Sequence, residues 1–150
     1  MCIRDSSLIF AAFDREESGL EGAIAFVKNL PVDKKNVVFN LNMDMIARSD
    51  KNEIFASGLS HYPANKYLVD AVQNKTNVML LMGHDTGNNI DDWTSQSDHA
   101  AFHEAKIPFL YIGVEDHPDY HRPSDTFSKI NLNSYIENCN MIALLINAYK

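Results

Sequence analysis

The chain has 150 residues, the usual size of one domain, and its hydrophobic fraction of 45% supports a sizeable core. Its net charge is −7, from 13 basic and 20 acidic residues. Because no Lys or Arg cluster interrupts this acidic balance, nucleic acid and anionic membrane surfaces are excluded as expected partners. No stretch reaches the roughly 18–20 apolar residues of a membrane helix, so no membrane span is expected.

Residues 1–6 lack the long apolar region of a signal peptide and are interpreted as an extraneous leader. The apolar run that begins at Leu8 has almost nothing before it, although a central strand seldom opens a domain so abruptly. Residues 7–150 are therefore predicted to be the C-terminal part of a catalytic domain whose N-terminal part is missing. Cys2 lies in the leader and Cys139 in a helix, so no disulfide is expected.

Strand-like and helix-like patterns alternate along the chain. Strands are predicted at 7–13, 36–46, 53–58, 77–83 and 107–114, and helices at 20–28, 64–73, 98–105 and from 132 onward. The last helix is expected to be capped by Asn131 and to turn one stripe inward, formed by Leu132, Tyr135, Ile136, Cys139, Ile142 and Ile146. A polar loop covers 84–96. The alternation predicts an α/β fold with a mainly parallel sheet covered by helices.

Acidic and imidazole side chains follow several of the predicted strands. Glu16 and Glu17 follow the first strand, Asp44 ends the second, and the segment "EDHPDYHRPSD" follows the fifth. In such folds, ligands bind outside the carboxyl ends of the strands. Carboxylates and imidazoles that converge there repel or stay unpaired unless a cation lies among them. Zinc accepts both ligand types, and two adjacent glutamates could serve as one ligand and one general base.

Each of these segments also has a simpler interpretation. The two glutamates could place negative charge at the first turn of the next helix. Asp44 could pair with Arg48 or cap a turn. On spacing alone, both interpretations stay open.

The segment around His121 is a stiff loop, because Pro118 and Pro123 forbid a helix through it. Asp125 could accept the second N–H of a metal-bound imidazole, and Tyr120 could donate a hydrogen bond to an oxyanion. The alternative is a solvated loop with incidental histidines.

Two further patterns carry less information. His99 and His103 have helical metal-ligand spacing but lack the glutamate of an HExxH motif, so they are interpreted as part of a helix face. Trp93 could contact a substrate or anchor its loop. No Gly-rich phosphate loop, GxSxG or CxxC motif is present.

Taken together, "FDREESGLEGA", "NLNMDMIAR", "SDHAAF…IPFLYIG" and "HPDYHRPSDT" resemble segments of one family, the di-zinc exopeptidases typified by bacterial leucyl aminopeptidase. Glutamate carboxypeptidase II and glutaminyl cyclase are relatives. The four motifs occur in order from about Ser7 to the C-terminus. The resemblance implies a three-layer α/β/α sandwich, two Zn²⁺ ions, and hydrolysis of peptide substrates at chain ends, with aminopeptidase activity favoured over carboxypeptidase activity.

Position by position, the resemblance makes Glu16 the general base and Glu17 a ligand of one zinc ion. His121 would bind the same zinc as Glu17, and Asp44 would bind the other. Tyr120 would help to stabilise the tetrahedral intermediate. In such a site, two metals about 3.5–4 Å apart activate a water and polarise the scissile carbonyl.

The chain also departs from the family pattern. Asp98 and His99 match its "SDH" and are interpreted as supporting residues, but Ala47 and the pair at 105–106 replace common glycines. Those changes are tolerable if the backbone there keeps φ negative. The family takes a His ligand and a bridging Asp from an upstream stretch, and nothing before Leu8 supplies them. The 150 residues alone are therefore expected to bind zinc weakly and to be inactive. Because the family is often exported, an extracytoplasmic or secreted location is favoured.

Three alternatives stay open. A glutaminyl cyclase shares the fold and metal site, but the cyclases carry Trp where Tyr120 precedes His121. A non-catalytic, receptor-like relative would have lost ligands that are present here. A doubly wound domain could instead bind another cation or a phosphate at its strand ends.

Overall fold

A computed structural model describes residues 6–49, 51–87 and 91–149. Within these ranges the helices are α1 (Glu21–Lys28), α2 (Lys66–Val72), α3 (His99–Glu104) and α4 (Leu132–Ala148), and the strands are β1 (Asn40–Met43), β2 (Glu53–Ser57), β3 (Met79–Met82) and β4 (Phe109–Gly113). Short 3₁₀ turns lie at Glu16–Ser18, Lys34–Asn36, Pro63–Asn65 and Phe127–Lys129. The predicted leader, apart from Ser6, and residues 88–90 of the predicted loop lie outside the described residues. None of the described helices has the length and apolar character needed to cross a membrane.

The four strands form one mixed sheet in the order β1-β4-β2-β3. β1 runs parallel to β4, β2 runs parallel to β3, and β2 and β4 are antiparallel. All five residues of β4 are buried, which agrees with its unbroken apolar sequence "FLYIG". The predicted α/β class and the mainly parallel sheet are therefore confirmed.

Alternate residues of β4 enter two different hydrophobic clusters. Leu110 and Ile112 join the main core, which α2 and α4 cover. Phe109 and Tyr111 face the other way and join Trp93 in a smaller cluster, on the side where α3 packs against β4 and α1. The sheet thus lies between two helical layers, and the smaller cluster lies under the polar residues discussed below.

The predicted strand at 7–13 is wrong, because these residues form no strand in the structure. Leu8, Ile9 and Phe10 are exposed, Phe10 to 84%. A strand exists only when a neighbour completes its hydrogen bonds, and none of the described strands pairs with this segment. Its end is anchored by Phe13, whose ring lies 5.3 Å from that of Phe26 on α1.

The inward stripe predicted for α4 is only partly right. The buried residues of this helix are Asn138, Met141, Ile142 and Leu145. The first turns of the predicted stripe are exposed, with Leu132 at 51% and Ile136 at 54%. The helix has apolar side chains on several faces, so its sequence does not define one stripe, and the buried Asn138 donates a hydrogen bond to the carbonyl of Ile46. The Asn131 cap is present, because its side chain accepts from the N–H groups of Asn133 and Ser134.

A negative φ, the condition under which the glycine replacements are tolerable, is not met at Lys106, which has φ 65°. The N–H of Lys106 donates to the carbonyl of His103, and that of Ile107 donates to Phe102, which closes α3 with a Schellman motif. In a Schellman motif the residue just after the helix adopts the left-handed conformation, and glycine is preferred at that position. Here that residue is Lys106.

We expect Lys106→Gly to raise the free energy of unfolding by about 1 kcal/mol, because a β-carbon strains the left-handed conformation. Urea denaturation checks this, with Lys75→Gly as the control at a position whose φ is not in the left-handed region. Equal or lower stability of Lys106→Gly would contradict it.

Candidate active site

All five residues that the sequence singled out for catalysis and metal binding line one large cleft of about 1770 Å³. They are Glu16, Glu17, Asp44, Tyr120 and His121. The lining also includes Ser97, Asp98, Tyr111, Asp116 and His117. The cleft therefore gathers carboxylates and imidazoles from segments that are distant in sequence.

The adjacent glutamates are presented by a tight turn. Arg15 and Leu20, on either side of the 3₁₀ turn, have φ values of 54° and 61° in the left-handed region. The guanidinium of Arg15 lies 2.7 Å from the carboxylate of Glu21 across the turn. A Cβ on Gly22 would lie 2.5 Å from the carbonyl oxygen of Asp14, so only glycine fits there. Non-glycine residues in the left-handed region, such as Arg15 and Leu20, are uncommon and cluster at functional sites.

Glu17 and His121 are in direct contact although 104 residues separate them. Oε1 of Glu17 lies 2.7 Å from Nε2 of His121, and both side chains are more than half exposed. His121 itself has φ 55°, and its ring stacks on that of Tyr120 with centroids 3.9 Å apart. The pair therefore places one carboxylate and one imidazole at the open side of the cleft.

Asp44 is held by a buried chain of hydrogen bonds. Its Oδ2 accepts from the Ser97 hydroxyl at 2.9 Å, and Ser97 accepts from the Asn42 amide at 3.1 Å. The same amide lies 3.4 Å from Nδ1 of His99, whose Nε2 lies 2.8 Å from the carbonyl oxygen of Trp93. Because a carbonyl only accepts, Nε2 of His99 carries the proton and Nδ1 is the acceptor.

Arg48, the residue named as a possible partner of Asp44, contacts Asp119, with its Nη1 2.7 Å from Oδ2. Met45, the residue after Asp44, has φ 54°. Asp44 is a carboxylate at the cleft whose Oδ2 accepts a hydrogen bond from the neutral hydroxyl of Ser97. Its role as a metal ligand stays a prediction.

Negative charge accumulates around Glu16. Partial burial raises the pKa of Glu16, and the nearby carboxylates of Glu17, Asp44 and Asp98 raise it further. Burial and the charge of Asp44 also raise the pKa of Asp98. Oδ1 of Asp98 is buried and has no hydrogen-bond partner among the described residues. Such a cluster is stabilised by a cation or by protonation.

Two tyrosines lie at the same cluster. Burial and the charge of Asp44 raise the pKa of Tyr111, and burial together with nearby carboxylates raises that of Tyr120. Both hydroxyls therefore stay protonated at neutral pH and can donate hydrogen bonds.

The loop that carries Tyr120 and His121 is fixed by Asp119. This carboxylate lies 2.7 Å from Arg48, 2.5 Å from Lys129 and 2.6 Å from the hydroxyl of Ser124. The hydrogen bonds from these three side chains, that of Lys129 first, hold the pKa of Asp119 well below its ordinary value. Asp125 was proposed to support His121. In the structure, its Oδ2 lies 3.8 Å from Nε2 of a different histidine, His117, and a contact with His121 is not among the described ones.

Within the described ranges, the ligand atoms of Glu17, Asp44 and His121 do not all lie within 4.8 Å of one another. The sequence assigned Asp44 to a different zinc ion from the other two, so the ligand assignment stays a prediction. Sequence reasoning missed Asn42 and Ser97, although the alternating "NLNMD" places polar residues on one side of a strand.

Trp93 is 93% buried against Tyr111 and Phe55, so the anchor interpretation is correct.

The chain matches one family model and the folds of several solved structures. The family model described as "Peptidase family M28" matches residues 3–146. The fold is similar to that of BSAP, a zinc aminopeptidase from Bacillus subtilis, with a TM-score of 0.72 and 23% identity over 90% of this chain and 34% of that one. It is also similar to an aminopeptidase from Aneurinibacillus sp. strain AM-1 (TM-score 0.64, 19% identity, 91% and 31% coverage). LapA aminopeptidase from Legionella pneumophila gives a TM-score of 0.66 at 22% identity, with 89% and 36% coverage.

The chain spans about a third of the length of these aminopeptidases. At this level of identity the likeness shows the fold. No curated protein matches the chain in sequence.

Proposed function

The chain belongs to peptidase family M28, and from that premise we propose that the protein is a zinc-dependent exopeptidase that removes terminal residues from peptides as an aminopeptidase. One observation carries the proposal: Glu16, Glu17, Asp44, Tyr120 and His121 line the same cleft. The solved structures that support it are described as those of a zinc aminopeptidase and of other aminopeptidases.

The residues of the cleft fit zinc. Imidazole nitrogen and carboxylate oxygen are the ligand types that zinc takes, and Glu17 and His121 bring one of each to the cleft. Their 2.7 Å separation is that of a hydrogen bond, so a zinc ion bound by both would replace this contact and move the two atoms apart. The raised pKa of Glu16 and the unpartnered oxygen of Asp98 show excess negative charge that a cation would neutralise. We assign Glu17 and His121 to one zinc ion and Asp44, which lies apart from them, to a second.

Bound zinc supplies a Lewis acid that lowers the pKa of a water and polarises a carbonyl. In the proposed reaction, Glu16 accepts a proton from the attacking water and passes it to the leaving amine. Tyr120 donates a hydrogen bond to the developing oxyanion. Ser97 and Asn42 hold the carboxylate of Asp44 in place.

We also propose that residues 7–150 are the C-terminal part of a larger catalytic domain and that this part alone is inactive. The chain spans about a third of the aminopeptidases it matches, and the resemblance assigns a further His and a bridging Asp to upstream sequence. We also propose an extracytoplasmic or secreted location for the protein, because the family that it resembles is often exported.

The test is hydrolysis of aminoacyl p-nitroanilides, measured in this chain and in the longest natural polypeptide that contains it. We expect zinc-dependent release in the longer polypeptide, loss of activity with a chelator, and recovery with Zn²⁺. His121→Asn should lower bound zinc and abolish turnover, because it removes an imidazole ligand. His61→Asn is the matched control, since His61 lies outside the cleft lining.

Equal zinc content and activity in His121→Asn and wild type would contradict the assignment of His121. Ammonia release from Gln-initiated peptides, without loss of a residue, would instead identify a glutaminyl cyclase. A longer polypeptide that binds no zinc would support the receptor-like alternative.

A further inference from the structure

A second group of metal-ligand side chains lies at a different place in the fold. His84 follows β3, Asp91 lies in the next loop, and Glu115 follows β4. One ligand atom from each lies within 4.8 Å of those from the other two. None of the three lines the large cleft.

The imidazole of His84 has a fixed position. Its ring stacks on the indole of Trp93 with centroids 3.7 Å apart and planes within 3°. Its face-to-edge contact with Phe55 has a centroid distance of 4.4 Å. The side chain is only 11% exposed, so little side-chain freedom remains to be lost on binding a ligand.

The neighbours of His84 decide which nitrogen can bind a ligand. Nδ1 lies 2.7 Å from Oδ2 of Asp91 and 3.3 Å from the carbonyl oxygen of the same residue. Both partners only accept hydrogen bonds, so Nδ1 carries a proton and the neutral ring has its lone pair on Nε2. A carboxylate on one ring nitrogen is the usual support of a metal-bound histidine.

Nε2 faces a carboxylate across a gap. Its distance to Oε1 of Glu115 is 4.0 Å, which is too long for a hydrogen bond. Two ligand atoms that each lie about 2.1 Å from a tetrahedral zinc ion are separated by about 3.4 Å. The gap is about 0.6 Å wider than this, so a small movement of the partly exposed Glu115 side chain would bring both atoms within reach of one cation.

We propose that His84 and Glu115 bind a divalent cation of the Zn²⁺ class, that Asp91 orients the imidazole, and that water fills the remaining positions. The imidazole ligand favours zinc over Ca²⁺ and Mg²⁺, which prefer oxygen. Glu53 and Asp116 line a cavity of about 50 Å³ on the side of Glu115 away from His84 and add negative charge there, although Lys51 lines the same cavity.

Lys51 competes with the cation. Its Nζ lies 2.9 Å from Oε2 of Glu115, and the side chain is 64% exposed. The Lys51 ammonium contacts Oε2 of Glu115, so the other carboxylate oxygen, Oε1, stays available on the side of His84. Removing this positive charge should therefore strengthen cation binding, an effect that a simple cluster of ion pairs would not produce.

A bound cation would link the end of β3, the following loop and the end of β4. That loop carries Trp93, which packs at 5.7 Å from the ring of Tyr111 under the large cleft. Binding to the folded state alone stabilises it by mass action. The site is thus structural and separate from the proposed zinc pair.

The experiment measures Zn²⁺ affinity by competition with a chromophoric chelator and Co²⁺ binding by visible absorption. All proteins carry His121→Asn and His117→Asn, which together remove both imidazoles that line the large cleft. We expect one zinc equivalent, at least tenfold weaker affinity in His84→Asn, and at least threefold tighter affinity in Lys51→Met. Asparagine is chosen because it tolerates the φ of 59° at His84.

Lys66→Met is the matched control for Lys51→Met, because Lys66 pairs with Asp70 elsewhere on the surface. Glu115→Gln, on a side chain that is 42% exposed, keeps the test valid if His84→Asn does not fold. Wild-type affinity in Glu115→Gln, or no gain in Lys51→Met, would show that the three residues form only ion pairs and would overturn the proposal.

Discussion

Replacing Glu16 by glutamine is expected to lower kcat by about 10²–10⁴-fold while the bound zinc is retained. Glutamine has nearly the same shape as glutamate but cannot accept a proton from water. Glu16 is placed for this role because it lines the cleft and because burial and three neighbouring carboxylates raise its pKa. Its neighbour Glu17, in contrast, contacts His121 directly.

The measurement compares steady-state kinetics and zinc content of the longest polypeptide that contains this chain. Glu104→Gln, at the exposed end of α3, is the control and should leave both unchanged. Retained turnover in Glu16→Gln would remove Glu16 from the role of base. Loss of zinc together with activity would make it a ligand instead.

The free energy of unfolding is expected to fall by about 3 kcal/mol as the pH is lowered from 6.5 to 4 because of His99 alone. Burial lowers the pKa of His99 to about 4 from an ordinary value of 6.5. In this pH window the unfolded chain binds a proton that the folded chain does not, so stability decreases as the pH falls. Above pH 6.5 this contribution is fully present.

Urea denaturation from pH 7.5 to 4, followed by the fluorescence of Trp93, measures this dependence, because Trp93 is the one tryptophan of the 150 residues. His99→Gln removes the titration and retains an amide for hydrogen bonding. The exposed His61→Gln is the control. Since carboxylates also titrate below pH 5, the informative quantity is the difference between wild type and His99→Gln. A difference that stays constant with pH would contradict the prediction.

The sequence predicted the elements where local pattern and packing agree. The apolar run that forms β4 and the Asn131 cap of α4 are examples. It failed at residues 7–13 because pairing of a strand depends on a neighbour that local pattern does not specify. The positive φ of Lys106 could not be predicted, because the left-handed turn is imposed by the Schellman hydrogen bonds although lysine does not favour that conformation.

For the candidate site, too, the chemistry of single residues could be predicted from the sequence, whereas contacts between distant residues could not. The chemical types of Glu16, Glu17, Asp44 and His121 could be read from the sequence, and the structure places them along one cleft. Their metal and catalytic roles stay predictions. The chain from Asp44 through Ser97 and Asn42 to His99 could not be predicted. It joins residues that are up to 57 positions apart, and such contacts depend on how the strands are ordered.

β1 is an edge strand of the described sheet, its Met43 and the preceding Val38 have exposed side chains, and the segment at 8–10 is exposed and pairs with none of the described strands. Unsatisfied N–H and C=O groups along such a border recruit extended polypeptide from other molecules. A recombinant preparation of these residues is consequently expected to self-associate as it is concentrated. Crystallisation or spectroscopy of this chain would be helped by a charged substitution at Met43, which would discourage cross-β stacking between copies.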